Sequence, residues 1–327
     1  MAQDNKKEKQ QQIKQRVISS VKAVLPTTTK TCIWILKITV GVSFGMMLLK
    51  YFNILPWISD AVSPFFEYFG LPGEAALAYV SAYFVNVYSA IAIISTLDMS
   101  RRAVTILAVM ILCSHSMVLE TAVLKKTGSS GVRMVIIRTL SAFILAFVLN
   151  LILPESSEIV TAGSAQGAAL SFWDTLLAWL ISTLKLCLMM IVIIYALNIM
   201  QRLLSEFGIM SYVAKFLSPV MTFFGLPKKT AFLWLIANMV GLGYGAAAML
   251  DEIAAGKLKK EEVQLLNSHI CISHSNLEDL LLLSALGACW WVLLISRWVM
   301  AIILVWEKRL EFFIQDANSR KKRTFAS

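Results

Sequence analysis

One series of short motifs occurs twice along the chain, in the same order each time. The first three pairs lie 155 residues apart and the last pair lies 159 residues apart, so the second copy carries a four-residue insertion. The pairs are Cys32 with Cys187, Ser63-Pro64 with Ser218-Pro219, Phe69-Gly70-Leu71-Pro72 with Phe224-Gly225-Leu226-Pro227, and Ser114-His115-Ser116 with Ser273-His274-Ser275. Four landmarks in one order predict an internal duplication. We therefore expect two related halves, at residues 31–153 and 185–306, joined by a linker and an interfacial helix at 154–184.

Long apolar segments place both halves in a lipid bilayer. The sequence is 58% hydrophobic and only 15% charged, and a soluble domain of this length could not bury so much apolar surface. Several runs approach the roughly 20 residues that a helix needs to cross a bilayer. The sequence thus predicts an all-α polytopic membrane protein.

The two ends of the chain carry most of its positive charge. Residues 1–30 hold seven Lys and Arg against two acids, and residues 307–327 hold six against three, which together give +8 of the net +10. By the positive-inside rule, both termini are predicted to be basic cytoplasmic arms near anionic headgroups. Residues 12–25 carry apolar side chains at helical spacing and are predicted to form an amphipathic interfacial helix. No nucleic-acid partner is expected, because the arms lack interleaved aromatic residues.

The Ser-His-Ser segments decide the topology, and two arrangements are open. If residues 103–124 and 263–283 span the bilayer, each half has four crossings, and the eight crossings form parallel repeats. If each segment is a re-entrant helical hairpin, each half has three crossings, an odd number, and the two repeats are inverted. The crossings expected next to these segments lie at about residues 73–97 and 229–250. We prefer the inverted repeats, because they place the basic pairs at 101–102 and 125–126 inside the cell. The exception is the nearly neutral loop 251–262, which would lie outside.

The same segments supply the candidate binding residues, because polar groups are costly in apolar surroundings unless something satisfies them. We expect the two segments to face each other. The candidate substrate-binding residues are Ser114, His115, Ser116, Asn86, Asn238, Ser273, His274, Ser275 and Asn276. The candidate coupling residues, which could carry a proton, are Glu120, Glu278 and Asp279. The alternative interpretation is structural, since a neutral histidine can bridge two helices and a serine can cap a helix start.

No catalytic or cofactor pattern accompanies these residues. The sequence contains no nucleophilic triad, P-loop or HExxH motif, so we expect neither an enzyme nor a cofactor. The spacing of Cys, His and Glu around the two motifs matches no closed zinc pattern, and no metal ligand is predicted. A transient path for a soft divalent ion stays open as an alternative.

The repeated motifs resemble the Gate domain, also called the nucleoside-recognition domain. The motifs that carry the resemblance are Phe69-Gly70-Leu71-Pro72 with Ser114-His115-Ser116 and Glu120, and Phe224-Gly225-Leu226-Pro227 with Ser273-His274-Ser275-Asn276-Leu277-Glu278-Asp279. This domain occurs in spore maturation proteins A and B and in related bacterial membrane proteins. It is similar to pore elements of ferrous-iron transporters and of concentrative nucleoside transporters. The resemblance implies inverted repeats with hairpins, a substrate-handling role and the bacterial cytoplasmic (inner) membrane, without fixing a substrate.

The leading hypothesis from the sequence is a permease that moves a small polar solute, nucleoside-like or an organic anion, by alternating access. Two alternatives come from other classes. One is a non-transporting membrane protein that assembles with a partner through its apolar faces. The other is a divalent-metal permeation path. A homo-oligomer or a complex with another membrane protein is compatible with each hypothesis.

Overall fold

The protein is built from helices of very different length. The computed structural model describes residues 2–161 and 171–326. The first half contains α1 (Ala2–Tyr51), α2 (Leu55–Glu67), α3 (Ala75–Phe84), α4 (Val87–Ile94), α5 (Arg101–Ser114), α6 (Met117–Lys126) and α7 (Gly131–Ile152). The second half contains α8 (Phe172–Glu206), α9 (Ile209–Phe223), a 3₁₀ turn (Lys228–Thr230), α10 (Ala231–Met239), α11 (Leu242–Ala254), α12 (Lys260–Ser273), α13 (Glu278–Ala285) and α14 (Trp290–Ala326). One short antiparallel pair, β1 (Met99–Ser100) with β2 (Ile159–Thr161), is the only other regular structure in these ranges. The all-α prediction is confirmed.

Five helical segments in the described part of the chain are long and apolar enough to cross a bilayer. They are Lys7–Tyr51, Arg101–Lys126, Gly131–Ile152, Phe172–Glu206 and Trp290–Ser319. The shortest has 22 residues, or ~33 Å at the rise of an α-helix, which matches a hydrocarbon layer of ~30 Å. Arg101–Lys126 is enclosed by protein, whereas the other four present most of their apolar surface outward. A polytopic membrane protein in contact with lipid is therefore confirmed.

α1 and α8 lie side by side in opposite directions along most of their length. Contacts between them follow an ascending series of residues in α1 and a descending series in α8. The pairs in contact are Arg16 with Glu206, Thr29 with Tyr195, Ser43 with Thr183, and Tyr51 with Phe172. These two long helices thus support each other along most of their length.

Three segments have other boundaries in the structure than the sequence predicted. Residues 12–25 lie inside α1, which continues through Pro26, and residues 171–184 form the start of α8 rather than separate interfacial helices. The contacts with α8 outweigh the one backbone hydrogen bond that a proline removes from a helix. The C-terminal arm likewise continues α14 as far as Ala326. Residues 162–170 of the predicted linker lie outside the described residues.

The repeated Phe-Gly-Leu-Pro motif ends the helix that precedes each hairpin. Gly70 and Gly225 have φ of 66° and 74°, the left-handed conformation that glycine adopts most easily. A Cβ atom at Gly70 would lie 2.1 Å from Oδ1 of Asn150 in α7. The glycine is therefore required both by the turn and by the close approach of α7.

A short helical hairpin follows this motif in the first half. The chain reverses at Val85 and Asn86, between α3 and α4, and the Ser89 hydroxyl donates to the Ser81 carbonyl oxygen at 3.3 Å. Residues eight apart in one continuous helix would lie ~12 Å apart, so the chain must turn back here. With 10 and 8 residues, the arms are too short to cross a bilayer. The single crossing predicted at about residues 73–97 is therefore wrong, and this segment is a helical hairpin with two short arms.

The second half has the equivalent hairpin in α10 and α11. The chain reverses at Gly241, whose φ is 113°. The two arms touch so closely that a Cβ atom at Gly245 would lie 2.7 Å from the Cβ atom of Ala237. The crossing predicted at about residues 229–250 is corrected in the same way.

Each Ser-His-Ser segment is the break in a longer element rather than the tip of a re-entrant hairpin. α5 and α6 follow one another antiparallel to α7. At the start of α5, Arg102 donates to the carbonyl oxygens of Asn150 (2.7 Å) and Leu153 (3.3 Å) at the end of α7. At the other end, Thr121 in α6 packs against Gly131, the first residue of α7. The pair α5–α6 therefore runs the full length of α7, and α12 packs along α14 in the same manner.

The two ends of the helix bundle carry opposite charge. The end that holds the start of α1, here called the basic end, also holds the termini of α6, α8 and α11 and the later part of α14. Its basic residues include Lys125, Lys126, Arg133, Arg202, Lys228, Lys229, Lys257, Lys259 and Lys260. The opposite, acidic end carries Asp60, Glu67, Glu74, Asp98, Glu155, Glu158 and Asp174.

Salt bridges at each end connect elements that are distant in sequence. Lys229 contacts Glu262 at 2.7 Å at the basic end, and Arg101 contacts Glu158 at 2.9 Å at the acidic end. The Arg101 guanidinium hydrogen-bonds to Glu158 and holds the pKa of that carboxyl below its ordinary value. The basic pairs 101–102 and 125–126, which were expected on one side, therefore lie at opposite ends. The loop 251–262 lies at the basic end.

Candidate functional site

The two Ser-His-Ser segments meet at the centre of the bundle with the same backbone conformation. His115 and His274 follow the last residues of α5 and α12 in an extended conformation, with ψ of 160° and 168°. The next residues, Ser116 and Ser275, have φ of 47° and 54°. This left-handed region is sparsely used by residues other than glycine, asparagine and aspartate. Such strained positions persist where the surrounding structure fixes them.

The hairpin tips provide that support. The Ser116 amide donates to the Ala82 carbonyl oxygen at 2.8 Å, and the Ser275 amide donates to the Ala237 carbonyl oxygen at 3.1 Å. The Ser116 hydroxyl is also 3.4 Å from the Val85 carbonyl oxygen at the tip itself. Each break thus docks on the hairpin of its own half through the same backbone hydrogen bond.

Two buried arginines, Arg138 in α7 and Arg297 in α14, satisfy the last carbonyl groups of the broken helices. Both are 0% exposed. Arg138 donates from Nε to the Cys113 carbonyl oxygen at 3.1 Å and from Nη2 to the His115 carbonyl oxygen at 2.8 Å. Arg297 makes the equivalent bonds, both 2.7 Å long, to the carbonyl oxygens 25 and 23 residues before it. A cation at a helix C-terminus is favourable, because the carbonyl dipoles point towards it.

Glu120 joins the two halves at the centre. Its Oε1 atom lies 3.1 Å from Nε2 of His115 and 3.1 Å from Nε2 of His274. Its Oε2 atom accepts a hydrogen bond of 2.5 Å from Nη2 of Arg138. The ring centroids of the two histidines are 5.2 Å apart, and Nε2 of His115 is 3.5 Å from Oδ2 of Asp279. The structure therefore brings together His115, His274, Glu120 and Asp279 as one buried cluster.

Backbone carbonyl groups orient both imidazole rings. Nδ1 of His115 is 3.2 Å from the Ile111 carbonyl oxygen, and Nδ1 of His274 is 2.8 Å from the Ile270 carbonyl oxygen. Because a carbonyl oxygen can only accept, we infer that each Nδ1 atom carries a proton. Both Nε2 atoms are then directed at Glu120.

Three predicted residues do not point into this cluster. The Ser114 hydroxyl is 3.2 Å from the Tyr79 hydroxyl, and the Ser273 hydroxyl is 2.7 Å from Nδ1 of His269. Oδ1 of Asn86 accepts from the backbone amide three residues later at 3.0 Å and so caps the start of α4. The geometry favours the structural interpretation for these three.

The remaining predicted amides link the second hairpin to the second break. Nδ2 of Asn276 donates to Oδ1 of Asn238 at 2.7 Å, and Nη1 of Arg297 donates to Oδ1 of Asn276 at 2.8 Å. Asn238 also donates to the carbonyl oxygen one turn earlier in α10, at 2.9 Å. Both amides are thus part of the network that holds the break together.

Glu278 lies apart from the histidine cluster and faces a cavity of about 670 Å³. The cavity extends from Arg202 and Ser205, near the basic end, to Tyr88 and Glu278 in the middle of the bundle. The Tyr88 hydroxyl donates to Oε1 of Glu278. Polar side chains from several helices line the cavity: Thr27, Thr28, Thr31, Asn198, Gln201 and Tyr244.

Sequence reasoning missed Arg138, Arg297, Tyr88 and His269. The two arginines could have been found, because a charged residue in an apolar helix is unusual and both follow a motif histidine by 23 residues. Tyr88 carries no comparable signal. His269 accepts a hydrogen bond from Nε1 of Trp234 at 3.1 Å and lies against the ring of Phe224, which indicates a packing role.

Comparison with known proteins matches residues 32–130 to the family described as Gate, nucleoside recognition. The chain is also 30% identical over 271 residues to the uncharacterized membrane protein YvoD of Bacillus subtilis (strain 168). That alignment covers 82% of this chain and 87% of YvoD. The chain belongs to the Gate family of membrane proteins. The resemblance expected from the motifs is confirmed, and no solved structure matches the chain significantly.

Proposed function

We propose that this Gate protein is a permease that moves a small polar solute by alternating access. The observation that carries the proposal is the cavity of about 670 Å³ that reaches Glu278 in the middle of the bundle. Its volume is within the ~300–1,000 Å³ common for small-molecule sites. Polar groups that line a cavity inside a membrane protein are the groups that a polar solute would contact.

The lining favours one of the two solute classes expected from the sequence. Apolar side chains alternate in the lining with hydroxyl, amide and phenol groups, and the acidic side chain of Glu278 lies at the inner limit. An organic anion would be repelled by that carboxylate when it is ionised, whereas a neutral nucleoside-like compound could hydrogen-bond to it. A nucleoside-like solute is therefore the preferred substrate class.

Glu278 is the coupling residue in this proposal. It is the first residue of α13, and its carboxylate accepts a hydrogen bond from Tyr88 at the start of α4. Protonation of Glu278 would weaken its hydrogen bond with Tyr88, and a solute that displaces Tyr88 would break it. Either event would loosen the contact between the hairpin and the second broken helix. Glu120 is less suitable, because Arg138 and both motif histidines already hold it.

Inverted repeats would supply the alternation. The helices of the two halves follow the same order, and the equivalent helices α1 and α8 are antiparallel. The matched bonds of Ser116 and Ser275 to their hairpins, and of Arg138 and Arg297 to their helix ends, support the same proposal. In inverted repeats the site lies where the halves meet, and one half rocks against the other.

The distribution of charge suggests an orientation. The positive-inside rule assigns the basic end, and with it both termini, to the cytoplasm. The cavity then opens towards the cytoplasm in this conformation. Thiol labelling with membrane-impermeant reagents from each side measures this orientation directly.

Solute binding to the wild type and to Glu278→Gln tests the function. A panel of nucleosides, amino acids and small organic anions is screened for an increase in Tm of the purified protein. A ligand at about 100 times its Kd should stabilise the folded state by ~2.7 kcal/mol. Uptake of that ligand into proteoliposomes is then measured, and we expect Glu278→Gln to abolish uptake while its Tm stays close to that of the wild type. Glu261→Gln removes an exposed acid from the start of α12, and this control should transport normally.

Two results would contradict the proposal. The first is unchanged uptake by a folded Glu278→Gln protein, which would remove Glu278 from the mechanism. The second is the lack of any stabilising solute together with co-purification of a stoichiometric membrane protein. That second result would favour the non-transporting partner predicted as an alternative.

A further inference from the structure

We propose that His115, His274 and Glu120 bind one divalent transition-metal ion between the two halves of the protein. The three ligand atoms, two Nε2 and one Oε1, all lie within 4.8 Å of one another. Each nitrogen atom is 3.1 Å from the same oxygen atom. These side chains are not those that line the cavity, so the metal site and the permease function can be tested separately.

The orientation of the rings calls for a cation at this point. With the Nδ1 protons directed at backbone carbonyl groups, a neutral imidazole presents only a lone pair at Nε2. The facing oxygen of Glu120 is also an acceptor. Three acceptors that converge in a buried place repel one another unless a positive centre lies between them. One metal ion would satisfy all three at once.

The groups around the three ligands are those that metal sites need. Ligating histidines donate their other ring N–H to a carbonyl or carboxylate group, which fixes the ring. The carbonyl oxygens of Ile111 and Ile270 do this here, at 3.2 Å and 2.8 Å. The second oxygen of Glu120 is bound by Arg138 at 2.5 Å. Every ligand is thus held by a second protein group before an ion arrives.

The ligand set selects the class of ion. Two imidazole nitrogens and one carboxylate oxygen suit Zn²⁺, Co²⁺ and neighbouring transition metals better than Mg²⁺ or Ca²⁺, which take oxygen ligands. Bonds of ~2.0–2.1 Å in a tetrahedral site place ligand atoms ~3.3 Å apart, close to the 3.1 Å observed for the two nitrogen–oxygen pairs. Asp279, with Oδ2 at 3.5 Å from Nε2 of His115, is in reach of the fourth position.

The ligands come from distant parts of the sequence, which explains why no metal pattern was predicted. Glu120 and His274 are 154 residues apart, and only the meeting of the two breaks brings them together. The same geometry would also suit protons on both rings, with Glu120 accepting from each Nε2 atom. Direct measurement of metal binding decides between the two occupants.

The test is a Co²⁺ titration of the full-length protein, purified without a polyhistidine tag and treated with a chelator. We expect one equivalent of Co²⁺ to bind, with the visible absorption bands of a low-coordinate nitrogen and oxygen site, and Zn²⁺ to displace it. His274→Gln and Glu120→Gln each remove one ligand and should weaken binding at least about 100-fold, because loss of an outer-shell group alone costs ~10–100-fold. His269→Gln removes the only other histidine of the chain and should leave the titration unchanged.

Each outcome bears on the proposal. If the folded wild type binds no Co²⁺ or Zn²⁺, the cluster is a proton-linked network and the proposal is overturned. If His269→Gln loses the ion while a folded His274→Gln retains it, the site has been misplaced. The wild-type titration decides the first question even if a ligand variant does not fold, and Tm with and without Zn²⁺ provides a second measurement.

Discussion

Replacing Arg297 by methionine should be among the most destabilising single substitutions in this protein. Arg297 is fully buried and makes hydrogen bonds of 2.7, 2.7 and 2.8 Å to two backbone carbonyl groups and one side-chain amide. Hydrogen bonds to a charged group contribute ~1.5–3 kcal/mol each, so a simple sum gives ~4.5–9 kcal/mol. Such bonds are not additive, and those measured inside membrane proteins average ~0.6 kcal/mol. Each buried oxygen acceptor that the substitution leaves without a donor costs ~1–3 kcal/mol, and we take the low end, ~3 kcal/mol, for the three together.

The assay is the apparent Tm of the purified protein, followed by intrinsic tryptophan fluorescence. At ~2 °C per kcal/mol for a chain of this size class, the loss is at least ~6 °C. Arg138→Met should cause a similar loss, because it removes the equivalent hydrogen bonds from α5. Arg297→Lys keeps the charge but not the fork of donors, and its Tm should lie between those of Arg297→Met and the wild type.

A matched control separates this role from the general effect of losing an arginine. Arg133 is partly exposed and forms ion pairs with Glu307 and Glu311 near the basic end. Exposed pairs are worth ~0–1 kcal/mol each, so the loss of both pairs in Arg133→Met should lower Tm by no more than ~4 °C. If Arg297→Met melts no earlier than Arg133→Met, the idea that the arginines hold the broken helices is wrong.

Two further predictions concern the arrangement of the helices. In a background without native cysteines, Ser43→Cys with Thr183→Cys should form a disulfide, since the two hydroxyls are 3.3 Å apart. Ser43→Cys with Thr175→Cys, displaced by about two turns, should not; the reverse result would contradict the antiparallel pairing of α1 and α8. Glu155→Cys, at the acidic end, should react with an impermeant thiol reagent in intact cells, whereas Lys126→Cys should react only after permeabilisation. Exchange of those two labelling patterns would reverse the proposed orientation.

The residues at the centre could be predicted from the sequence because the duplication marks them. Two of the three histidines lie in the repeated motif, and the structure places His115 and His274 next to each other as expected. Glu120 was expected in a coupling role, and it does lie between the two rings. What the motif did not reveal is the charge that balances this cluster. Arg138 and Arg297 come from α7 and α14, whose apolar sequences were read only as crossings.

The direction of the chain at each break could not be read from hydropathy. Residues 73–97 and 103–124 are both apolar stretches of similar length with polar residues in the middle. Whether the chain reverses or continues within each stretch depends on the backbone angles at a few positions. At Val85 and Asn86 the chain reverses, whereas at Ser116 it continues in the same general direction because Arg138 and the hairpin tip hold the two helix ends. Both kinds of break interrupt an apolar segment, and composition does not distinguish them.

The expected hairpins and crossings are interchanged in the structure: residues 73–97 and 229–250 form the hairpins, and the Ser-His-Ser segments lie in broken helices that run the length of the bundle. This interchange strengthens the case for inverted repeats. One hairpin and three long elements remain in each half, so the number of elements that run the length of the bundle stays odd. The loop 251–262, which was the exception to the positive-inside rule, now lies at the basic end with the pair at 228–229. Arg101 and Arg102 lie at the acidic end instead of the predicted basic side. There Glu158 binds Arg101 at 2.9 Å, and Glu155 lies 3.6 Å from Arg102. Because the positive-inside rule counts Lys and Arg in short loops, the three lysines of loop 251–262 now support the cytoplasmic assignment of the basic end, and the pair at 101–102 is the exception that remains.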